Sequence, residues 1–176
     1  MSYRLRRASV ISPALCIVWL ATALAPSPAA AHGNHRHKGD IGLGLVVGQP
    51  TGITVQLRNS YSTALNLAVG LDIFDGRNGY AHLDYTVAPF SVAHNRTLII
   101  PFYLGLGALV AAHDGPFPDD GDVHVGARVP LGLAFEFAAP VHIFLELALN
   151  WILIDTGAHD TPFFDWGGAL GFRVFF

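Results

Sequence analysis

The sequence predicts an all-β protein, an eight-stranded antiparallel up-and-down transmembrane β-barrel with a polar, largely filled interior. Three observations predict it. From residue 41 to the end, apolar side chains recur at every second position, which is the period of a strand and not of a helix. Segments bearing Gly, Pro, Asn and Asp divide this alternation into eight pieces, and those residues make turns for known steric reasons. The chain is 52% hydrophobic and only 13% charged over 176 residues, a length that suits one domain.

The strands follow in order. Ile41, Leu43, Leu45 and Val47 alternate with Gly42, Gly44, Val46 and Gly48. After Gln49-Pro50-Thr51-Gly52, Ile53, Val55 and Leu57 alternate with Thr54, Gln56 and Arg58. Leu65, Leu67, Val69, Leu71 and Ile73 oppose Asn66, Ala68, Gly70 and Asp72. Beyond the turn at 75–79, Ala81, Leu83, Tyr85 and Val87 oppose His82, Asp84, Thr86 and Ala88. Leu98, Ile100, Phe102, Leu104, Leu106, Ala108 and Val110 oppose Ile99, Pro101, Tyr103, Gly105, Gly107 and Leu109. Val123 to Phe137 carries Val, Leu and Phe against His124, Gly126, Arg128, Pro130, Gly132, Ala134 and Glu136. Ala138-Ala139-Pro140 leads into Val141, Ile143, Leu145, Leu147, Leu149, Trp151 and Leu153, opposed by His142, Phe144, Glu146, Ala148, Asn150 and Ile152. Last, Trp166, Gly168, Leu170, Phe172, Val174 and Phe176 oppose Asp165, Gly167, Ala169, Gly171, Arg173 and Phe175.

The bulky face decides the environment. A soluble barrel built on this pattern would hold ions and voids in its core, or expose an aggregating apolar surface. A membrane barrel reverses the faces and needs strands of roughly 9–11 residues to span the bilayer. Closure is required, because an open edge in lipid leaves backbone groups unpaired. Eight strands enclose a space that side chains can fill.

The N-terminus has the layout of a secretory signal peptide. Arg4, Arg6 and Arg7 precede an apolar stretch from about Val10 to Leu24, and Ala25-Pro26-Ser27-Pro28-Ala29-Ala30-Ala31 offers small residues at a cleavage site after Ala31. Residues 1–31 form that segment, 32–40 a His-rich leader, and 41–176 the barrel. Cys16, the single cysteine, lies inside the apolar stretch after Leu15, where lipidation would need a small residue, and it excludes an intramolecular disulfide. Removing three Arg from ten basic residues leaves seven against thirteen acidic ones, a formal charge of −6, which speaks against nucleic acid as a partner.

The alternation ending at Phe172, Val174 and Phe176 resembles the C-terminal signature of bacterial outer-membrane proteins that the barrel-assembly machinery reads. Residues 40–176 resemble small eight-stranded outer-membrane proteins of the OmpA-barrel and OmpX type. Gly42 to Val55 resembles the start of an uncharacterised group of outer-membrane barrels. The resemblance implies a monomer in the outer membrane of a Gram-negative bacterium, with lipid and the assembly machinery as partners. No second, peptidoglycan-binding domain is expected after the barrel, so a tether role of the OmpA kind is not expected. With both barrel ends in the periplasm, segments 49–52, 75–79, 111–122 and 155–162 face outward, and 59–62, 89–97 and 138–140 are periplasmic turns. Trp151, Trp166 and Tyr80 are expected at the outer rim, and Phe135, Phe137, Phe172 and Phe176 at the inner rim.

The interior is expected to hold a polar network of Arg58, Asp72, His82, Asp84, His124, Arg128, Glu136, Glu146 and Arg173, with His142 among them. Charges in a narrow space must pair, so structural ion pairs are favoured over a proton path or a metal site. Asp72, His82, Asp84 and His124 form the strongest catalytic or metal alternative. His32, His35 and His37 are candidate metal ligands, although a flexible polar leader explains them better. The acidic residues at 114–122 could take Ca²⁺ but lack the EF-hand spacing.

A barrel deacylase needs an activated nucleophile. After residue 31 the only serines are Ser60, Ser62 and Ser91, with no His-x-Ser pair, and all fall in expected periplasmic turns. No enzyme activity and no cofactor is expected. A structural or surface-interaction role follows. A lipid-modifying enzyme, a narrow channel and a soluble periplasmic barrel for an apolar ligand are the alternatives. A helical membrane protein is opposed by apolar runs at 98–112 and 140–154, which are shorter than the roughly 20 residues a spanning helix needs.

Overall fold

The structure, a computed structural model, describes residues 40–72, 77–113, 122–156 and 164–176. The signal segment, His32, His35, His37, Ile73 and the acidic run at 114–121 lie outside the described residues. Eight strands follow one another: β1 (Ile41–Gly48), β2 (Thr51–Arg58), β3 (Thr63–Asp72), β4 (Arg77–His94), β5 (Leu98–His113), β6 (Asp122–Phe137), β7 (Val141–Asp155) and β8 (Phe164–Phe175). Each pairs antiparallel with its neighbour in sequence, and β1 pairs with β8 to close the barrel. No helix among the described residues is long and apolar enough to cross a membrane.

The pairing fixes the width of the barrel. Followed sideways, Asp165 of β8 faces Asn150, then Arg128, Gly107, Asp84, Asn66, Gln56 and Gly42, and the circuit re-enters β8 at Phe175, ten residues further along. With about 3.3 Å per residue and about 4.8 Å between strands, this stagger tilts the strands by about 40° and sets a backbone radius of about 8 Å. Side chains pointing into such a cylinder meet at its axis.

The faces alternate as a membrane barrel requires. On β7, Ile143, Leu145, Leu147, Leu149, Trp151 and Leu153 are exposed, while His142, Phe144, Glu146, Ala148, Asn150 and Ile152 are buried. On β1, Ile41, Leu43, Leu45 and Val47 are exposed, and Gly42, Val46 and Gly48 are buried. Trp166, 72% exposed, lies near the start of the outward face of β8, and Phe176, 82% exposed, directly follows its end.

One end of the barrel carries short turns and both barrel termini. Phe176 N–H donates to the Ile41 carbonyl at 3.0 Å, which seals the β1–β8 seam. Asn59 N–H donates to Thr63 O at 3.0 Å, and Asn95 Oδ1 accepts from the Thr97 and Leu98 amides at 2.9 and 2.8 Å, an Asx-type turn. At the opposite end Gly48 has φ +137°, a region that disfavours residues with a Cβ. There Thr51 Oγ accepts from Gly48 N–H and donates to Gly48 O.

Three expectations need correction. Tyr80 is 2% exposed and points into the barrel, so it does not belong to an outer aromatic girdle; it shares its parity with His82 and Asp84. Segment 89–97 is not one turn. β4 continues to His94, and only residues 95–97 turn. The register shifts between Val87 and Phe90 and again between Ser91 and Ala93. Such bulges accommodate Pro89, which has no N–H for the ladder. Ser91 accordingly lies in β4, paired with Pro101, and not in a turn. The strands also reach further toward the loop end than expected, taking in Thr51, Arg77 to Gly79, Ala111 to His113 and Asp122.

Gly171 shows how tightly the interior is filled. A Cβ there would lie 2.7 Å from Leu45 O and would overlap the Phe144 ring. Gly171→Val is therefore expected to cost on the order of 1–3 kcal/mol by overpacking. The check is the temperature at which the folded band in SDS converts to the unfolded one on a gel, which falls for the variant; an unchanged temperature contradicts the packing.

Candidate functional site: the polar lumen

All nine of Arg58, Asp72, His82, Asp84, His124, Arg128, Glu136, Glu146 and Arg173 are buried inside the barrel, as is His142. They form three groups.

Near the middle, Arg128 of β6 is the hub. Its guanidinium pairs with Asp84 of β4 and, at 2.7 Å, with Glu146 of β7. Glu146 also accepts from the Tyr103 hydroxyl at 2.9 Å. His82 Nδ1 lies 2.9 Å from Asp84 and 3.2 Å from Arg128. That nitrogen either donates to the carboxylate or accepts from the guanidinium, and one tautomer cannot do both.

Glycines make this hub possible. Gly107 of β5 stands between Asp84 and Arg128 in the ladder, and a Cβ there would occupy the position of Asp84 Oδ1. The missing side chain lets Arg128 reach across a whole strand. Gly132 of β6 likewise stands between Tyr103 and Glu146, and a Cβ there would meet the Tyr103 ring and hydroxyl. The small positions on the inward face are the spaces over which long polar side chains lie.

The second group lies toward the turn end. Arg58 of β2 contacts Asp40 at 3.4 Å and Glu136 at 3.7 Å, meets the His142 ring nitrogens at 2.9 and 3.0 Å, and lies 3.9 Å over the Phe175 ring. Arg173 of β8 stacks 4.1 Å from the Phe144 ring centre and donates to Thr54 Oγ at 2.8 and 3.2 Å. Both stacks are cation–π contacts in a water-poor setting. Phe144 and Phe175 lie over Gly171 and Gly42. A neutral ladder of Gln56, Asn66 and Thr86 adds side-chain bonds of 2.7 and 2.8 Å.

The third group lies toward the loop end. Gln49 donates to Asp72 at 2.6 Å, and His124 lies 3.2 Å from Asp155. The expected quartet of Asp72, His82, Asp84 and His124 is thus not one cluster. Only His82 and Asp84 meet, and Arg128 and Glu146 join them. His82, Asp84 and Glu146 have potential metal-ligand atoms within 4.8 Å of one another. The Arg128 guanidinium already bridges both carboxylates, so it supplies the positive charge that a cation would bring. Ser60, the one serine with a close hydroxyl partner in the turn at 59–62, pairs with Thr63 at 2.8 Å and not with a histidine.

No protein-family model matches the chain, and no curated protein matches it by sequence. By structure the chain is similar to the N-terminal β-barrel domain of Pseudomonas aeruginosa OprF, with a TM-score of 0.56 over 80% of this chain and 100% of that domain at 13% identity. The shared feature is the fold, a closed eight-stranded up-and-down barrel.

Arg128→Met leaves Asp84 and Glu146 buried without their cation. The expected loss is about 3–5 kcal/mol, and Gly107→Ala should mimic it in part by blocking the Arg128–Asp84 contact. Urea unfolding of protein refolded into detergent or vesicles reads both. Losses under about 1 kcal/mol, the range typical of an exposed pair, would contradict a hub role.

Proposed function

We propose that this chain is an integral outer-membrane barrel of a Gram-negative-type bacterium, exported by a cleaved signal peptide, with a structural or surface-interaction role and no catalysis. One observation carries the reading. The outward face is a continuous belt of Leu, Ile, Val, Phe and Trp, while the charged side chains of the lumen described above are turned inward, most of them in ion pairs. Lipid is the solvent that suits this distribution. The barrel-assembly machinery is the expected reader of Phe172, Val174 and Phe176, which lie along the outward face of β8 where it meets β1.

The filled lumen supports a non-conducting barrel over a porin. Arg128, Glu146, Tyr103 and Asp84 meet across a radius of about 8 Å, and conduction would require that ionic group to part. A soluble barrel for an apolar ligand is opposed by an interior lined with paired charges. A lipid hydrolase is opposed by the lack of a Ser–His pair among the described residues.

The orientation places the turn end, with Ser62, in the periplasm and the loop end, with Thr156, outside. In a Cys16→Ala background, Thr156→Cys should react with a membrane-impermeant maleimide on intact cells. Ser62→Cys should react only after the outer membrane is permeabilised. Labelling of Ser62→Cys on intact cells with Thr156→Cys protected would invert the topology. Failure of both to fractionate with the outer membrane would refute the localisation.

A further inference from the structure

Arg173 differs from the other lumen arginines. Arg128 has two carboxylates and Arg58 has Asp40 and Glu136 within 4.0 Å. Arg173 is 6% exposed, and its contacts are the Thr54 hydroxyl and the Phe144 ring. Among the described residues it has no carboxylate partner. Glu146 and Asp84 act on it only from beyond 4.0 Å, and a buried cation without a close counter-ion is costly; neither a neutral hydroxyl nor a ring face supplies negative charge.

Arg173 also lines a cavity. The cavity is small, about 30 Å³, and opens at one side, and Arg58, Gln56, Tyr103, Glu136 and His142 share its wall. Thr54, Gln56 and Arg58 are successive inward residues of β2, so the wall runs from the Arg173–Thr54 contact past the Gln56 amide to Arg58. Gln56 uses one amide hydrogen on Asn66 and has a second. Glu136, the acid in this wall, is already approached by Arg58 and by His142, each at 3.7 Å. Arg58 thus has Asp40 and Glu136 close to it, and the guanidinium of the wall that lacks a carboxylate within 4.0 Å is that of Arg173. Ser60, Ser62 and Thr63 of the β2–β3 turn stand at the same cavity, at the turn end of the barrel.

We propose that this cavity is a binding site for a small oxyanion, a phosphate or carboxylate group, held by the free edge of Arg173 and the Gln56 amide. Guanidinium groups bind both kinds of oxyanion through paired, charge-assisted hydrogen bonds. The site opens toward the end assigned above to the periplasm, so its ligand would come from there. The binding itself does not depend on that assignment.

The test uses the full chain refolded in a maltoside detergent, which carries no phosphate. Inorganic phosphate and, separately, acetate are titrated while the Arg173 Nε–H resonance is followed. A saturable shift with phosphate alone, with acetate alone, or with both supports the site and identifies the chemistry it accepts. Arg173→Gln should weaken binding by about tenfold or more, as expected for loss of a charge-assisted pair. Gln56→Glu, nearly isosteric, should supply an internal counter-ion, keep the fold and abolish the response. Absence of a saturable shift for either anion overturns the proposal. So does a Gln56→Glu protein that binds as the unaltered chain does, and this arm stands even if Arg173→Gln fails to fold. None of these outcomes alters the labelling pattern that tests orientation, so the two readings fail separately.

Discussion

Everything in this molecule depends on closing the sheet. In hydrocarbon an unpaired backbone N–H or C=O costs several kcal/mol, so the last strand must find the first. It does so along seven residue pairs from Gly42–Phe175 to Gly48–Ala169. Closure at eight strands with a ten-residue stagger then fixes the radius. The radius leaves no separate space for the inward side chains, which must share one narrow column. Their size and charge are therefore constrained together, and this is why Gly107 stands beside Arg128 and Gly44 beside Arg173 in the ladder.

The column is organised by cations reaching over glycines. Arg128 crosses Gly107 to Asp84, Tyr103 crosses Gly132 to Glu146, and Phe144 and Phe175 fold over Gly171 and Gly42 to make platforms for Arg173 and Arg58. Such an arrangement spends polar side chains where a soluble protein would place leucine. On the lipid-facing reading the outward leucines need no partner, and inside, the ion pairs share the column with two apolar clusters, one around Val46, Ala68 and Phe144 and one around Tyr80, Leu109 and Ile152. Arg128, Asp84, Glu146 and Tyr103 meet near the middle of the column, and toward the turn end a cavity remains beside Arg173.

Much of the fold was legible because a strand writes its environment with period two. The inward placement of Arg58, Asp84, Glu146 and Arg173 follows from parity alone. Tyr80 shows what happens when parity is set aside: its aromatic ring suggested a girdle, yet it stands two residues from His82 on the same face. Pro89 misled in another way. Proline reads as a turn, but bulges carry it within β4. The partners inside the lumen were not legible. Arg173 and Thr54 are 119 residues apart and Arg58 and His142 are 84 apart. Their meeting depends on strand stagger, and stagger comes from summed registers that no local pattern encodes. The glycines on the inward face were visible as small residues, but their use as passages for arginine and tyrosine appears only in three dimensions.

The most direct test of the inside-out arrangement is a single-residue fluorophore scan along β7 in lipid vesicles, from Ile143 to Leu153. A lipid-soluble quencher and an aqueous quencher are compared at each position. Labels at Ile143, Leu145, Leu147, Leu149 and Leu153 should be quenched from the lipid and protected from water, and labels at Phe144, Glu146, Ala148 and Ile152 should escape the lipid quencher. Quenching of the odd-numbered positions by the aqueous reagent, with no period-two response to the lipid one, would contradict the account at its root.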